Sequence, residues 1–214
     1  MQVIAILSQK GGVGKTTLAT CIAVAAQADG KATCLLDLDP QATAAAWADR
    51  RLEASGLDEP TVQSIQAVRL SHTIKAAERA GADLVVIDGA AVARDVAHAA
   101  ASVADLVLIP TRPALFDTIS MGHTLDLVRQ LGKPARVILT QVAPRGAEAA
   151  ETMEAVAAMG AQVCPILIGN RKDYSRAQVD GLAVQEYAPK SAAAQEIADV
   201  YTYACKVMET GDNA

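Results

Sequence analysis

One run of eight residues constrains this chain more than any other. Lys10-Gly11-Gly12-Val13-Gly14-Lys15-Thr16-Thr17 lies between an apolar, strand-like segment at 3–7 and a helix-like segment at 16–29. Glycines at such a junction let successive backbone N–H groups wrap an anion without Cβ clashes. The helix N-terminus behind the loop adds positive potential. Lys15 is then placed for β- and γ-phosphates, the Thr16 hydroxyl for Mg²⁺ and Thr17 for the α-phosphate. The strict GxxxxGK[ST] pattern is missed by one position, because Gln9 stands where its first glycine belongs.

The rest of the chain repeats the strand-then-helix rhythm. Apolar strands are expected at 33–38, 62–68, 84–87, 106–109, 135–139 and, broken at Pro165, 163–168. Helices are expected at 43–55, 71–80 (capped by Ser71), 92–103, 118–131, 147–159 and 191–208, with a frayed tail from Gly211. Strands apolar on both sides and separated by helices predict an open α/β fold, a mostly parallel sheet with helices on both faces. Low-complexity segments and internal repeats are missing from the sequence, so one domain over 1–214 is expected.

Composition removes several classes. The chain is 51% hydrophobic and 20% charged, which excludes disorder, and the 3% aromatic content argues against a stacking platform for single-stranded nucleic acid. A formal net charge of −5 argues against wholesale coating of DNA, although it leaves a local basic patch open. Cys21, Cys34, Cys164 and Cys205 form no CxxC pair, and His72, His98 and His123 show no HExxH spacing, so cysteine and histidine metal sites are disfavoured. Residues 1–7 carry no basic leader and read as a strand, not a signal peptide, which predicts a cytoplasmic protein.

Two carboxylate motifs agree with the glycine loop. In Leu84-Val85-Val86-Ile87-Asp88 an apolar strand ends in a carboxylate suited to holding Mg²⁺ at the carboxyl end of the sheet. In Asp37-Leu38-Asp39-Pro40-Gln41, alternation puts Asp37 and Asp39 on one side, where one can support the metal and the other orient the attacking water.

The lysine at position 10, inside the loop, is distinctive. With the loop from Gly11 to Thr17, Asp37-x-Asp39-Pro40-Gln41 and Asp88, the sequence resembles the ParA/MinD family of deviant Walker A ATPases. It is most similar to the short, ParF-like plasmid-partition ParA proteins, which lack an N-terminal helix-turn-helix domain. Asp88-Gly89-Ala90-Ala91, Ile109-Pro110-Thr111-Arg112-Pro113 with Asp117, and Gly181 to Val184 with Tyr187-x-Pro189 resemble further segments of those proteins.

This resemblance implies a Mg²⁺-dependent ATPase in which two subunits sandwich two ATP molecules. Lys10 would reach the partner's phosphates, Asp39 would position the hydrolytic water, and Asp37 would support the metal and switch region. ADP, lacking the γ-phosphate, would favour monomers, and a partner protein would stimulate hydrolysis.

Relatives with partition roles bind non-specific DNA as ATP dimers. Candidate contacts here are Arg171, Lys172, Arg176 and Lys190, with Arg145 a weaker one. Ordinary solvated surface is the equal alternative, and Asp173 sits among them. MinD-type relatives end in a basic amphipathic membrane helix. Here Ile197, Val200, Tyr201, Ala204 and Met208 read instead as a packing stripe, with Lys206 the only basic residue nearby, so no membrane partner is expected.

The expected role is DNA partition through a centromere-binding adaptor, on the nucleoid. The alternative is the same engine positioning a protein cargo, such as a chemoreceptor cluster or microcompartment. A metal-cluster P-loop enzyme would need suitably placed cysteines, and a non-catalytic scaffold would not need intact Lys10, Lys15, Asp39 and Asp88. For the base, only the end of the 135–140 strand suggests itself as a facing edge.

Overall fold

The computed structural model describes residues 1–91 and 94–211. Among them six strands form one parallel sheet: β1 (Gln2–Ile6), β2 (Thr33–Asp37), β3 (Thr61–Ser64), β4 (Leu84–Asp88), β5 (Leu106–Thr111) and β6 (Ala135–Leu139), in the order β3-β2-β4-β1-β5-β6. The expected α/β class is what the chain adopts.

Nine helices accompany the strands: α1 (Lys15–Ala28), α2 (Thr43–Ser55), α3 (Leu70–Arg79), α4 (Arg94–Val103), α5 (Leu115–Gln130), α6 (Glu148–Ala158), α7 (Lys172–Val179), α8 (Val184–Tyr187) and α9 (Ala192–Thr210), counted among the described residues. Strand alternation divides the core between the two faces. Ile4, Ile6, Leu35, Leu84, Val86 and Leu108 pack under α1, α2, α7, α8 and α9. Val3, Ala5, Leu7, Leu36, Val85, Ile87 and Val107 pack under α3 to α6.

Because β1 lies between β4 and β5, the chain reverses direction across the sheet at the end of β1. A crevice opens there outside the carboxyl ends of the strands, where ligands of open α/β sheets bind. The same alternation puts Asp37 and Asp88, paired in register across β2 and β4, on the α1 face of that end.

Several expected elements change. The strand expected at 62–68 is only Thr61–Ser64, because its neighbour β2 ends at Asp37, the register partner of Ser64. A 3-10 turn at Ala67–Arg69 follows and leads directly into α3, so Ser71 lies inside the helix and does not cap it. The segment 163–168 runs beside β6 without forming a regular strand. The Cys164 N–H reaches Val137 O at 2.8 Å and the Ile168 N–H reaches Leu139 O at 2.9 Å, but Pro165 between them has no N–H to give. Helices α7 and α8 are additions, and α5 starts a turn earlier than expected.

Val92, the expected start of α4, and residues 212–214 of the expected tail lie outside the described residues. Ser191 caps α9, its hydroxyl accepting from the Ala194 N–H at 3.1 Å. Of the expected stripe, Ile197, Val200, Tyr201 and Ala204 are buried against the sheet and Met208 packs there partly buried. Among the described residues no helix is long and apolar enough to cross a membrane.

One close approach fixes α8. The buried Arg51 guanidinium of α2 grips both carboxylate oxygens of Glu186, at 2.6 and 2.7 Å. Gly181 lies so near that a Cβ there would fall 2.3 Å from the Arg51 backbone nitrogen, and its φ of +65° also favours glycine.

Candidate functional site

The loop after β1 turns through Gly12 (φ +73°) and Gly14 (φ +89°), left-handed conformations that glycine adopts at no steric cost. Nothing lies within 4 Å of where a Cβ at Gly11, Gly12 or Gly14 would stand, so the cradle is open. Two residues after β6 brace it from behind. The Thr140 hydroxyl donates to Val13 O at 2.9 Å, and the Gln141 side-chain amide to Gly12 O at 2.6 Å. Gln141 holds an unusual φ of +53° to do so.

Lys15 opens α1 and is 7% exposed. Its Nζ donates to the Lys10 carbonyl at 3.2 Å across the loop. Burial lowers its pKa, an effect opposed by the charges of Asp88 and Asp39. Lys10 is held differently. Its side chain is 41% exposed, and its Nζ lies 4.0 Å from the buried Asp117, which also pairs with Arg112.

Asp88 is wholly buried at the end of β4. Its Oδ2 accepts the Thr16 hydroxyl at 2.6 Å, while Oδ1 has no hydrogen-bond partner. Burial pushes its carboxyl up to about 7, the Thr16 bond and Lys15 opposing and Asp37 and Asp39 reinforcing the rise. An orphaned carboxylate oxygen beside a hydroxyl is a hard-oxygen pair of the kind Mg²⁺ takes, so these residues fit that ion. Among the described residues no cluster of three or more His, Cys, Asp or Glu offers a different metal site.

Asp37 is equally buried but otherwise employed. Its Oδ1 accepts the Asp39 N–H at 3.0 Å, and its Oδ2 accepts those of Ala44 and Ala45 at 2.9 and 3.2 Å. It therefore ties the turn after β2 to the start of α2, where Ala42 holds a positive φ of 49°. Burial raises its pKa, and these backbone N–H bonds oppose the rise. Asp39 sits at the rim, its Oδ1 accepting from the Gln41 N–H at 2.9 Å.

A cavity of about 270 Å³ continues from the loop, lined by Val13, Gly14, Thr17, Thr140, Gly169 and Tyr174 among others. Beyond the loop residues Val13, Gly14 and Thr17, the end of β6 is the one part of this lining that the sequence marks as facing a base. The remaining wall is 168–178, and Glu196 of α9 braces it. Glu196 accepts from Arg171 at 2.6 and 2.9 Å, from the Gly169 N–H at 3.1 Å and from the Tyr174 hydroxyl at 3.1 Å. Of the basic candidates, Arg171 is thus engaged by Glu196, Lys172 touches the cavity, and Arg176 and Lys190 are exposed.

The burial of Asp88 makes a test of its own. Between the usual carboxylate range and about 7, the folded state keeps a proton that the unfolded state has lost, so stability falls as pH rises through that window. Asp88→Asn is expected to remove that slope and to stabilise the nucleotide-free protein at pH 8 by up to roughly 4 kcal/mol. Urea unfolding at pH 5 and pH 8 measures it; the same slope in both proteins would refute the buried charge.

Residues 4–184 match the family described as the CobQ/CobB/MinD/ParA nucleotide binding domain. The chain is 34% identical over 201 residues to maintenance of carboxysome distribution protein A of Gloeobacter kilaueensis, covering 91% of this chain and 89% of that protein. It is 30% identical over 132 residues to protein ParA of Rhizobium radiobacter, covering 61% of this chain and 57% of that one. The ATP complex of a Cyanothece McdA variant superposes with a TM-score of 0.78 at 18% identity, covering 96% of each chain. With an open glycine loop at the switch point of its parallel sheet and a matching domain over most of its length, this chain belongs to the CobQ/CobB/MinD/ParA nucleotide-binding family.

Proposed function

We propose that the chain is a Mg²⁺-dependent ATPase that dimerises on ATP, binds non-specific DNA as that dimer and positions a cargo on the nucleoid of the cytoplasm. The observation that carries the reading is the different treatment of two lysines on one loop. Lys15 is buried inside the cradle, whereas Lys10 stands half-exposed at its rim. A cation held at the rim suits phosphates presented by a second subunit, as an arginine finger does. The group supplied by ATP and Mg²⁺ is a transferable γ-phosphoryl with its charge partly neutralised. Within this chain Lys15 and the loop N–H groups hold the phosphates, Thr16 and Asp88 hold the metal, Asp37 keeps the switch turn in place and Asp39 orients the water.

For the cargo, a protein assembly is favoured. The likeness to a carboxysome-distribution protein spans nearly the whole chain at 34% identity. Plasmid or chromosome partition through a centromere-binding adaptor keeps the same engine. It is supported by the likeness to ParA, which spans 61% of the chain.

Asp39→Ala tests the engine. Hydrolysis should fall by roughly a hundredfold or more while ATP binding and the dimer persist. DNA titrations of this variant with ATP, with ADP and without nucleotide should show binding with ATP alone, weakening steeply as salt rises. Wild-type hydrolysis would remove the water-positioning role from Asp39. A confirmed ATP dimer that binds no DNA would remove the nucleoid reading and return Arg176 and Lys190 to ordinary surface.

A further inference from the structure

Helix α7 has two faces. Tyr174, Ala177 and Gln178 point inward. Tyr174 reaches Ala193 O and Glu196 of α9, Ala177 is buried, and the Gln178 side-chain amide donates to the Thr17 hydroxyl at 2.7 Å. Lys172 and Arg176, one helical turn apart, are exposed. The Gln178–Thr17 bond is a direct side-chain link, across 161 residues of sequence, between the phosphate loop and the helix that carries half of the basic cluster.

An eight-residue helix has little stability of its own, so its order depends on such tethers. We infer that the Gln178–Thr17 hydrogen bond transmits nucleotide occupancy to α7, and through α7 to the face that carries Lys172 and Arg176; the second step rests on the DNA reading above. The Thr17 hydroxyl accepts from Gln178 and keeps its own proton to donate. When that proton goes to a phosphate oxygen, the rotor is fixed and the hydroxyl becomes a better acceptor, because hydrogen bonds in a chain polarise one another. The bond to Gln178 tightens and α7 is clamped.

The chemistry makes a particular demand. Thr17 is placed for the α-phosphate, which ADP and ATP share, so α7 answers to occupancy by either nucleotide. The γ-phosphate acts separately, through dimerisation. DNA binding then needs both inputs, an ordered α7 in each subunit and two subunits together.

Gln178→Met separates this coupling from simple wall contact, because methionine matches glutamine in length and helix propensity but cannot donate the bond. Amide hydrogen exchange is followed in wild type and variant without nucleotide, with Mg-ADP and with Mg-ATP. In wild type, protection of 172–179 should rise about tenfold with either nucleotide, within the usual range of such couplings. In Gln178→Met it should change less than about twofold, although residues 11–17 are still protected. Equal protection of α7 in both proteins overturns the inference, and so does an unresponsive α7 in wild type with a protected loop.

The output is read by DNA titration at saturating ATP, in the Asp39→Ala background. Adding Gln178→Met should weaken DNA binding about tenfold with the dimer intact by light scattering. An unchanged DNA affinity overturns the second step. If the parent binds no DNA in any state, the DNA reading falls, and the exchange measurement alone decides the coupling to α7.

Discussion

Lys15→Ala is expected to weaken nucleotide binding by at least about a hundredfold while the protein stays folded, since breaking a buried charge pair costs roughly 3–5 kcal/mol. Lys15 is the buried cation of the cradle, and its desolvation is tolerated because Asp88, Asp39 and the Lys10 carbonyl surround it. On the proposed reading the same ammonium would meet phosphate oxygens in a water-poor site, where charge-assisted bonds are at their strongest. Alanine leaves those oxygens beside two carboxylates with no compensating charge. The fold loses less, because the burial that depresses the Lys15 pKa is itself a cost that the substitution removes. Titration with a fluorescent ADP analogue and a thermal melt without nucleotide measure the two effects separately. Affinity within about threefold of wild type would show that the backbone cradle, not Lys15, holds the phosphates.

The fold and the place of the glycine loop between β1 and α1 were legible for the same reason. β1, β4, β5 and β6 are apolar on both faces because helices cover both, and that continuous pattern survives in sequence. Glycines and lysines at a strand-to-helix junction have few other uses. Alternation in sequence puts Asp37 beside Asp39; that Asp37 stands opposite Asp88 follows only from the register of β2 and β4. What alternation could not show is that Asp37 gives its oxygens to three backbone N–H groups, since that depends on how the chain turns back into α2.

The far end of the cavity was hidden for a physical reason. Helix α7 buries only Ala177, so no apolar stripe announces it. Arg171, just before it, reads with Lys172 and Arg176 as one basic cluster, yet its partner is Glu196, 25 residues away. Thr140 and Gln141 act on the loop from 127 and 129 residues away. Such contacts exist only once the sheet has assembled, and residues of this kind carry no periodic signal. In the sequence Asp117 stands out only through the family resemblance. Its role as the buried anion shared by Lys10 and Arg112 is a property of the assembled crevice.

Lys10→Ala is expected to abolish the ATP-induced dimer and to cut hydrolysis about a thousandfold, the lower range for a cation delivered across an interface. ADP affinity should change less than about threefold, because the uniform part of nucleotide binding does not involve that ammonium. The geometry isolates the side chain well. Lys15 grips the backbone carbonyl of Lys10, and the Lys10 N–H reaches the Ser8 hydroxyl at 3.4 Å, contacts that alanine keeps. Only the ammonium is lost, with its approach to Asp117, and Arg112 remains on that carboxylate, so no buried anion is left unpaired. Light scattering with ATP and with ADP reads the dimer, and single-turnover hydrolysis reads the chemistry. A dimer of wild-type stability would remove Lys10 from the interface. A lost dimer with equally weakened ADP binding would place the lysine in its own subunit's cradle. Loss of both dimer and hydrolysis, with ADP retained, is the one pattern that a lysine acting between subunits produces.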